Sequence, residues 1–362
     1  MSGSLANNAF IYDTNVLIEV VPNLKRAQSF LLDRFFPNEV TSDSEYVSID
    51  VDVGKRRMSP FVSPLVEGKL VEQRRIQTNT FKPAYIKDKR APDLRKPVRR
   101  MIGERIGGAL TGIEREMANL EFEMTDQIDM LTRRLEWMAS SALQGGTITV
   151  QGDGFPTVLI DFGRDPSLTV VLTGNAQWGV SANFLADGRD PVPVKSIEAW
   201  QHQILKLSGA LATDIVFTTT PWELFLNAEG TQGAIYYPKL AEAGNVLNPG
   251  AQIARGAVFK GVWGQYRLWV YNDWYVNDLT NVETMMVPDG TVIMTGPDLM
   301  GTRAFGQILD PAFNYEALPY APKTWVENDP GQRIILMQSS PLPIPSRVNA
   351  ALSATVCAGT VT

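Results

Sequence analysis

Residues 113–142, IEREMANLEFEMTDQIDMLTRRLEWMASSA, are the longest uninterrupted periodic stretch in the chain. Ile113, Met117, Leu120, Met124, Ile128, Leu131, Leu135, Met138 and Ala142 recur at steps of three and four. Their mean spacing of about 3.6 residues is that of a straight helix rather than a heptad seam. The spacing therefore predicts one long helix that packs on a sheet. At about 1.5 Å per residue it makes a rod of ~45 Å, much longer than an average helix. Glu114, Arg115, Glu121, Glu123, Arg133 and Glu136 fall on the opposite face, expected to be solvated or to meet a partner. Gln144-Gly145-Gly146 ends the helix. No second segment of matching length pairs with it, which argues against a bundle or coiled coil.

Working outward, the 362 residues suffice for one large or two medium domains, and 44% hydrophobic with 20% charged residues is an ordinary globular balance. The net charge of −6 argues against a chain whose whole surface binds nucleic acid. A single cysteine, Cys357, excludes an internal disulfide and multi-cysteine metal sites, and points to a reducing compartment. The single histidine, His202, lies between Trp200 and Ile204 in an amphipathic segment and reads as structural. With no second histidine, histidine-based triads and zinc catalysis drop out. Asp153, Asp161 and Asp165 do not have EF-hand spacing and read as turn and strand-end carboxylates. No catalytic, cofactor-binding or metal-binding residues emerge, so the expectation is a protein that is not an enzyme and has no cofactor. Neither a signal peptide nor a membrane span is expected.

Residues 1–45 read as an N-terminal arm, with apolar patches such as Phe30-Leu31-Leu32 that gain stability by lying on another part of the fold or on a neighbour. Val47, Ile49, Val51 and Val53 then alternate with Ser48, Asp50 and Asp52, the pattern of a half-exposed strand, and Thr78–Lys87 is the returning strand. Between them Pro60, Pro64 and Gly68 interrupt regular structure, so residues 46–97 form a long hairpin-like loop projecting from the body. Residues 55–100 hold fourteen Lys or Arg against four Asp or Glu. That asymmetry suits phosphate binding, an ion-paired contact with an identical neighbour, or a solvated basic face. The scarcity of stacking aromatics makes it a poor nucleic-acid groove. The glycine-rich lead-in at 98–112 is expected as a short helix or bend; it lacks a Walker Gly-Lys-Ser/Thr.

After Gly146 strands are expected at 147–150 and 157–162. A mixed α/β unit follows at 190–310, with a helix at 193–212 through Ile197, Trp200, Ile204, Leu207 and Leu211, and a strand at 214–218. Thr220-Pro221-Trp222-Glu223 reads as a capping box opening a short helix. Strands at 257–263 and 267–271 precede a hairpin turning at 285–290 into 291–294. Trp263, Tyr266, Trp269, Tyr271, Trp274 and Tyr275 read as strand-spaced core aromatics rather than a stacking surface. Strands at 304–309, 323–326 and 333–338, the last two joined by a turn at 329–331, lead to Pro341, Pro343 and Pro345, which are expected to break regular structure before a small-residue tail.

FVSPLVEGK at 61–69, FKPAYIKDK at 81–89, PKTW at 322–325 and DPGQRIILMQSSPL at 329–342 resemble the protein E capsid family of lambda-like tailed phages, in the same order across about 280 residues. The resemblance implies an α+β Hong Kong 97-type capsid fold with a long spine helix, an extended β-hairpin loop, and peripheral and axial domains. Its parts fall at 1–45 (N-terminal arm), 46–97 (extended loop), 98–189 (peripheral domain with spine helix 113–142), 190–303 (axial domain) and 304–362 (peripheral return strands and C-terminal tail). It departs from the family pattern at 98–112 and 228–256. The family forms pentamers and hexamers around a scaffolding protein, joins a portal protein, is in some members reinforced by a decoration protein, and expands as double-stranded DNA is packaged. The resemblance implies the same here: a virion capsid component, assembled in the host cytoplasm, enclosing DNA without specific binding and without a membrane. Arg56, Arg57, Arg74, Arg75, Lys87 and Arg90 are the candidate intersubunit contacts. A shell-forming encapsulin-like compartment and a nucleic-acid-binding protein using residues 55–100 are the alternatives.

Overall fold

The computed structural model describes residues 29–52, 58–71, 76–93, 111–152, 155–228, 231, 235–236, 253–254, 256–328 and 332–358. The glycine-rich lead-in up to residue 110, the turn at 329–331 and Asp153 lie outside the described residues.

The described helices of six or more residues are α1 (Phe30–Phe35), α2 (Gly112–Gly145), α3 (Val192–Ser208) and α4 (Thr219–Leu226). The strands are β1 (Asn38–Thr41), β2 (Val47–Asp52), β3 (Ile76–Phe81), β4 (Ile86–Arg90), β5 (Thr147–Gly152), β6 (Phe155–Asp161), β7 (Thr169–Val171), β8 (Asp214–Phe217), β9 (Ile235–Tyr236) and β10 (Ile253–Ala254). They continue as β11 (Ala257–Trp263), β12 (Tyr266–Tyr271), β13 (Trp274–Val276), β14 (Glu283–Met285), β15 (Thr291–Thr295), β16 (Gly301–Phe305), β17 (Ala321–Val326), β18 (Arg333–Ser339), β19 (Pro341–Pro345) and β20 (Leu352–Thr355).

Helix α2 opens on a capping box: Thr111 Oγ1 accepts from the Glu114 N–H, and Glu114 accepts from the Thr111 N–H. That hydrogen bond holds the Glu114 carboxyl below its ordinary range. The helix ends at Gly146, whose φ of +68° is left-handed. There the buried Arg164 guanidinium donates to the carbonyls of Leu143 and Gln144 and to Thr169 Oγ1. Burial lowers the Arg164 pKa to about 10. Replacing Thr111 with alanine is expected to lower unfolding free energy by about 1 kcal/mol, read as an earlier urea midpoint of the unassembled chain.

The apolar stripe of α2 packs on sheet, as the spacing predicts. Leu120, Met124 and Ile128 meet Ile335 and Met337 of β18, while Leu135, Met138, Ala139, Ala142 and Leu143 join the main core. Two expectations for this helix are corrected. Ile113 and Met117 are exposed, because the described neighbours of α2 begin to cover it only near Leu120. Glu123 and Glu136, assigned to the outer face, are buried, because they fall on a second covered side with Gln127, Thr132 and Ser140, where partners distant in sequence meet them.

Part of the arm is core. Phe30, Leu31, Leu32, Phe35 and Phe36 are buried with α2 and with Trp269 and Tyr271 of β12. Strand β1 then runs parallel to β16, whose other side carries β19. The largest sheet has the order β10-β11-β12-β8-β15-β20-β7, with β9 on β11. A third sheet, β17-β18-β4, joins the root of the loop to α2, and β2–β3, β5–β6 and β13–β14 are separate two-stranded ribbons.

Several local expectations give way to long-range pairing. Helix α3 stops at Gly209 (φ +76°); Leu207 within it and Leu211 beyond its end are exposed. Helix α4 begins after Thr218; Thr220 is bonded through its N–H and Oγ1 to Asp289, so the expected capping box is not formed. Met285 and Thr291 do not share a hairpin: β14 pairs with β13, whereas β15 pairs with β8 and β20. The prolines at 341, 343 and 345 form strand β19 at a sheet edge, where alternate N–H positions face away from β16 and none is missed. The small-residue tail contains β20, an interior strand of the largest sheet. Tyr266, Trp269 and Tyr271 are buried as strand-spaced core aromatics.

Candidate intersubunit interface

Strands β2 and β3 pair antiparallel from Val47↔Phe81 to Asp52↔Ile76. This makes the projecting ribbon that alternation in the sequence predicts. Beyond it, residues 58–71 turn through a bond from the Val66 N–H to the Ser63 carbonyl. Phe61, Leu65 and Leu70 there are 105%, 96% and 98% exposed. Three large apolar side chains exposed to this extent are unfavourable in water by roughly 1.5–3 kcal/mol each relative to full burial.

The root is held by charge. Arg90 of β4 is paired with Glu123 (3.1 Å) and Asp126 (2.5 Å) of α2 and with Asp88 (3.2 Å). Gln127 Nε2 donates to the Asp88 carbonyl at 3.0 Å, so β4 is bolted to the helix. Lys82 pairs with Glu45 across the hairpin base at 2.6 Å, and that hydrogen bond raises its pKa. Lys89 is 3.7 Å from Glu327 and lies over the Trp325 ring.

Of the six candidate contact residues, Arg56, Arg57, Arg74 and Arg75 lie outside the described residues. Lys87 sits at the surface of the root over the Tyr85 ring, 5.1 Å from its centroid. Arg90 is engaged within its own chain, because β4 lies against the acidic side chains of α2. Changing Arg90 to methionine is expected to remove its ion pairs with Glu123, Asp126 and Asp88 and to cost about 3 kcal/mol. The check is urea unfolding of the unassembled variant.

Beside this root lies a groove of about 690 Å³ between β4, α2, β5 and the β13–β14 ribbon. Tyr85, Trp137, Met138, Tyr275 and Leu279 give it an apolar lining. Lys87 and an Arg134–Asp278 ion pair of 2.9 Å edge it. Arg134 also stacks over the Trp137 ring at 5.4 Å. Tyr85 donates to Gln338 and accepts from the Leu309 N–H, and burial raises its pKa. This groove was not legible from periodicity, since its walls come from four separate stretches. The tip left a usable signal: Phe61, Val62, Leu65, Val66 and Leu70 are apolar residues in a segment that Pro60, Pro64 and Gly68 exclude from any core element.

Among the described residues no cluster of His, Cys, Asp or Glu could hold a metal ion, and no helix is long and apolar enough to cross a membrane. Asp161 and Asp165 bond the N–H groups of Gly163 and Ser167, the turn roles expected of them. His202 is exposed on α3.

The family model of phage major capsid protein E matches residues 13–356. The major capsid protein of Escherichia phage N15 is 26% identical over 336 residues, covering 92% of this chain and 95% of that protein. That of Escherichia phage lambda is 25% identical with the same coverage of both. In three dimensions the chain is similar to a crystal structure described as a capsid protein of a prophage of E. coli CFT073, with a TM-score of 0.73 and 20% identity, covering 95% of this chain and 99% of that one.

Proposed function

Since the chain belongs to the phage major capsid protein E family, whose work is to build a capsid shell from many copies, we propose that the extended loop is the clasp between those copies. The α+β fold is of the Hong Kong 97 type, and the role is structural. The observation that carries the clasp is the fully exposed apolar tip at 61–70 on a root that is bolted to α2. Identical subunits presenting the same loop and the same receiving surface multiply a modest contact into a closed shell.

In this reading the subunits form pentamers and hexamers around a scaffolding protein, join a portal protein and expand when double-stranded DNA is packaged. A decoration protein reinforces the shell in some relatives of this kind. The domains follow the division set out above. The protein belongs to the virion capsid and assembles in the host cytoplasm. Arg56, Arg57, Arg74, Arg75 and Lys87 steer the loop onto the acidic surface of a neighbour, since residues outside 55–100 carry most of the 39 Asp and Glu.

The test is electron microscopy with light scattering on the chain expressed with and without its scaffolding partner. Shells or five- and six-fold rings are expected; a compact monomer under both conditions would overturn the reading. Changing Arg56, Arg57, Arg74 and Arg75 together to Glu is expected to leave the circular dichroism unchanged and reduce shell yield at least tenfold. Unchanged yield would remove charge from the account of the clasp.

A further inference from the structure

Helix α1 is gripped by carboxylates from two other parts of the chain. Glu136 of α2 accepts from the Leu31 N–H through Oε1 and from the Leu32 N–H through Oε2, at 2.8 Å each. Asp214, at the start of β8, accepts from Arg34 Nε and Nη2 at 3.2 and 2.8 Å. Both carboxylates are 1% exposed. Between the two grips α1 lies on β12, where Arg267, Trp269 and Tyr271 alternate and so share one face of the largest sheet. Phe30 packs on Trp269 and Tyr271, and the Arg34 guanidinium lies 5.2 Å from the Trp269 ring centroid. Each gripping carboxylate also holds that face directly: Asp214 accepts from Trp269 Nε1 at 2.9 Å, and Glu136 from Tyr271 Oη at 2.9 Å. A six-residue helix is too short to persist alone, so these contacts set its seat.

The two grips differ in charge. Asp214 meets two arginines, Arg34 and Arg267. The groups that act on Glu136 are two amides, the Tyr271 hydroxyl and a second carboxylate, Asp273, and none is a cation. The charged residues of α1 are turned elsewhere, Asp33 to Arg303 and Arg34 to Asp214. On α2 itself Arg133 is exposed and Arg134 pairs with Asp278. A negative charge at Glu136 is therefore supported by three neutral donors and opposed by burial and by Asp273. Burial prevails and pushes its pKa up to about 7. Burial also raises the pKa of Tyr271, which stays a donor.

With α1 away, Glu136 loses the two amides and the cover over it, and its pKa returns toward the ordinary value of about 4.3. A proton on Glu136 thus binds more tightly when α1 is seated, and by linkage it favours the seat. The sign follows: the proton's support is full below about pH 4.3, weakens as pH rises and levels off above about 7.

We propose that α1 is a proton-controlled latch: seated, it ties α2 to the face of the largest sheet, and loss of the proton from Glu136 unseats it ahead of the rest of the fold. Because α1 leads directly into β1, which pairs with β16, unseating it loosens the long helix from the largest sheet while β1 remains tethered. The latch concerns contacts within one chain and stands apart from the clasp between copies.

The experiment is amide hydrogen exchange read by mass spectrometry on the full, unassembled chain from pH 5 to pH 8, each rate divided by the intrinsic rate at that pH. Protection of the peptide covering 29–36 is expected to fall on the order of fiftyfold across that range, and at pH 8 to lie well below that of β15 and β20. Glu136→Gln is expected to abolish the pH dependence. Equal protection of 29–36 and β15 at every pH would show that α1 leaves only when the whole chain unfolds, and would overturn the proposal. So would a flat profile in the parent, or an unchanged slope in Glu136→Gln. Tyr271→Phe covers the case in which Glu136→Gln does not fold, since it keeps the ring beneath Phe30 and removes one donor to the carboxylate. The pH at which the loss of protection levels off is then expected to move upward from about 7. An unmoved end point would show that another group titrates and would also overturn the latch.

Discussion

Gly301→Ala is expected to lower the unfolding free energy by about 3 kcal/mol or more. The reason is a close approach rather than an unusual backbone conformation. A Cβ on Gly301 would stand 2.1 Å from the Phe35 carbonyl oxygen and 2.7 and 2.9 Å from the Phe36 ring. A flexible side chain could move aside, but a backbone oxygen moves only with its segment. That segment is held on both sides: Phe35 and Phe36 are buried, Arg303 donates to the Phe36 carbonyl at 2.8 Å, and Asp33 pairs with Arg303 at 2.5 Å. The variant must therefore lift α1 and the start of β1 from β16. Gly68→Ala is the matched comparison, because a Cβ there meets nothing within 4 Å. Urea unfolding of the unassembled chain measures both. A Gly301→Ala midpoint equal to that of Gly68→Ala would show that the contact relaxes without cost.

Glu136 gives the second large effect and a pH dependence with a definite sign. Its carboxylate is 1% exposed and accepts from the Leu31 and Leu32 N–H groups at 2.8 Å each and from Tyr271 Oη at 2.9 Å. One side chain of α2 thereby caps α1 and reaches β12. Glu136→Ala leaves two buried amides without an acceptor and is expected to cost about 3 kcal/mol or more. Burial pushes the Glu136 pKa up to about 7, against the pull of its three donors, and nearby Asp273 adds to the rise. The folded pKa thus lies above the unfolded value of about 4.3. The folded chain keeps this proton where the unfolded chain has lost it. The associated stability is fully present below about pH 4.3, falls as pH rises toward 7 and is gone above it. The shift corresponds to a few kcal/mol, roughly 3. Glu136→Gln removes the titration, so the stability of the parent relative to this variant is expected to decline from pH 5 to pH 7.5. A constant difference across that window would show that Glu136 stays ionised throughout.

The parts of the fold legible in the sequence are those whose evidence is local. The step of three and four from Leu120 to Ala142 specifies α2 because a helix covers residues three and four apart on one face. The alternation at 47–52 specifies a strand because its period is two. The blocks at 61–69, 81–89 and 322–342 carried the family resemblance without any geometry. The apolar tip was legible as composition, but its exposure is seen only in three dimensions, where Phe61, Leu65 and Leu70 stand almost fully accessible.

What the sequence by itself determined is the long helix, the projecting hairpin, the basic bias of 55–100 and membership of a shell-forming family. The tertiary structure alone decided that Glu123 and Glu136 point inward, that PLPIP at 341–345 is a strand, that β20 lies inside the largest sheet, and that four separate stretches wall one groove. The physical reason is the range of the interactions. Glu136 is tolerable in a core only because amides 104 and 105 residues away in sequence meet its oxygens. The prolines of β19 are tolerable in a strand only because β16 bonds the residues between them. A helix period is written in the residues that form it, whereas the partner that satisfies a buried charge or a sheet edge is written elsewhere in the chain and is identified only when the two are brought together.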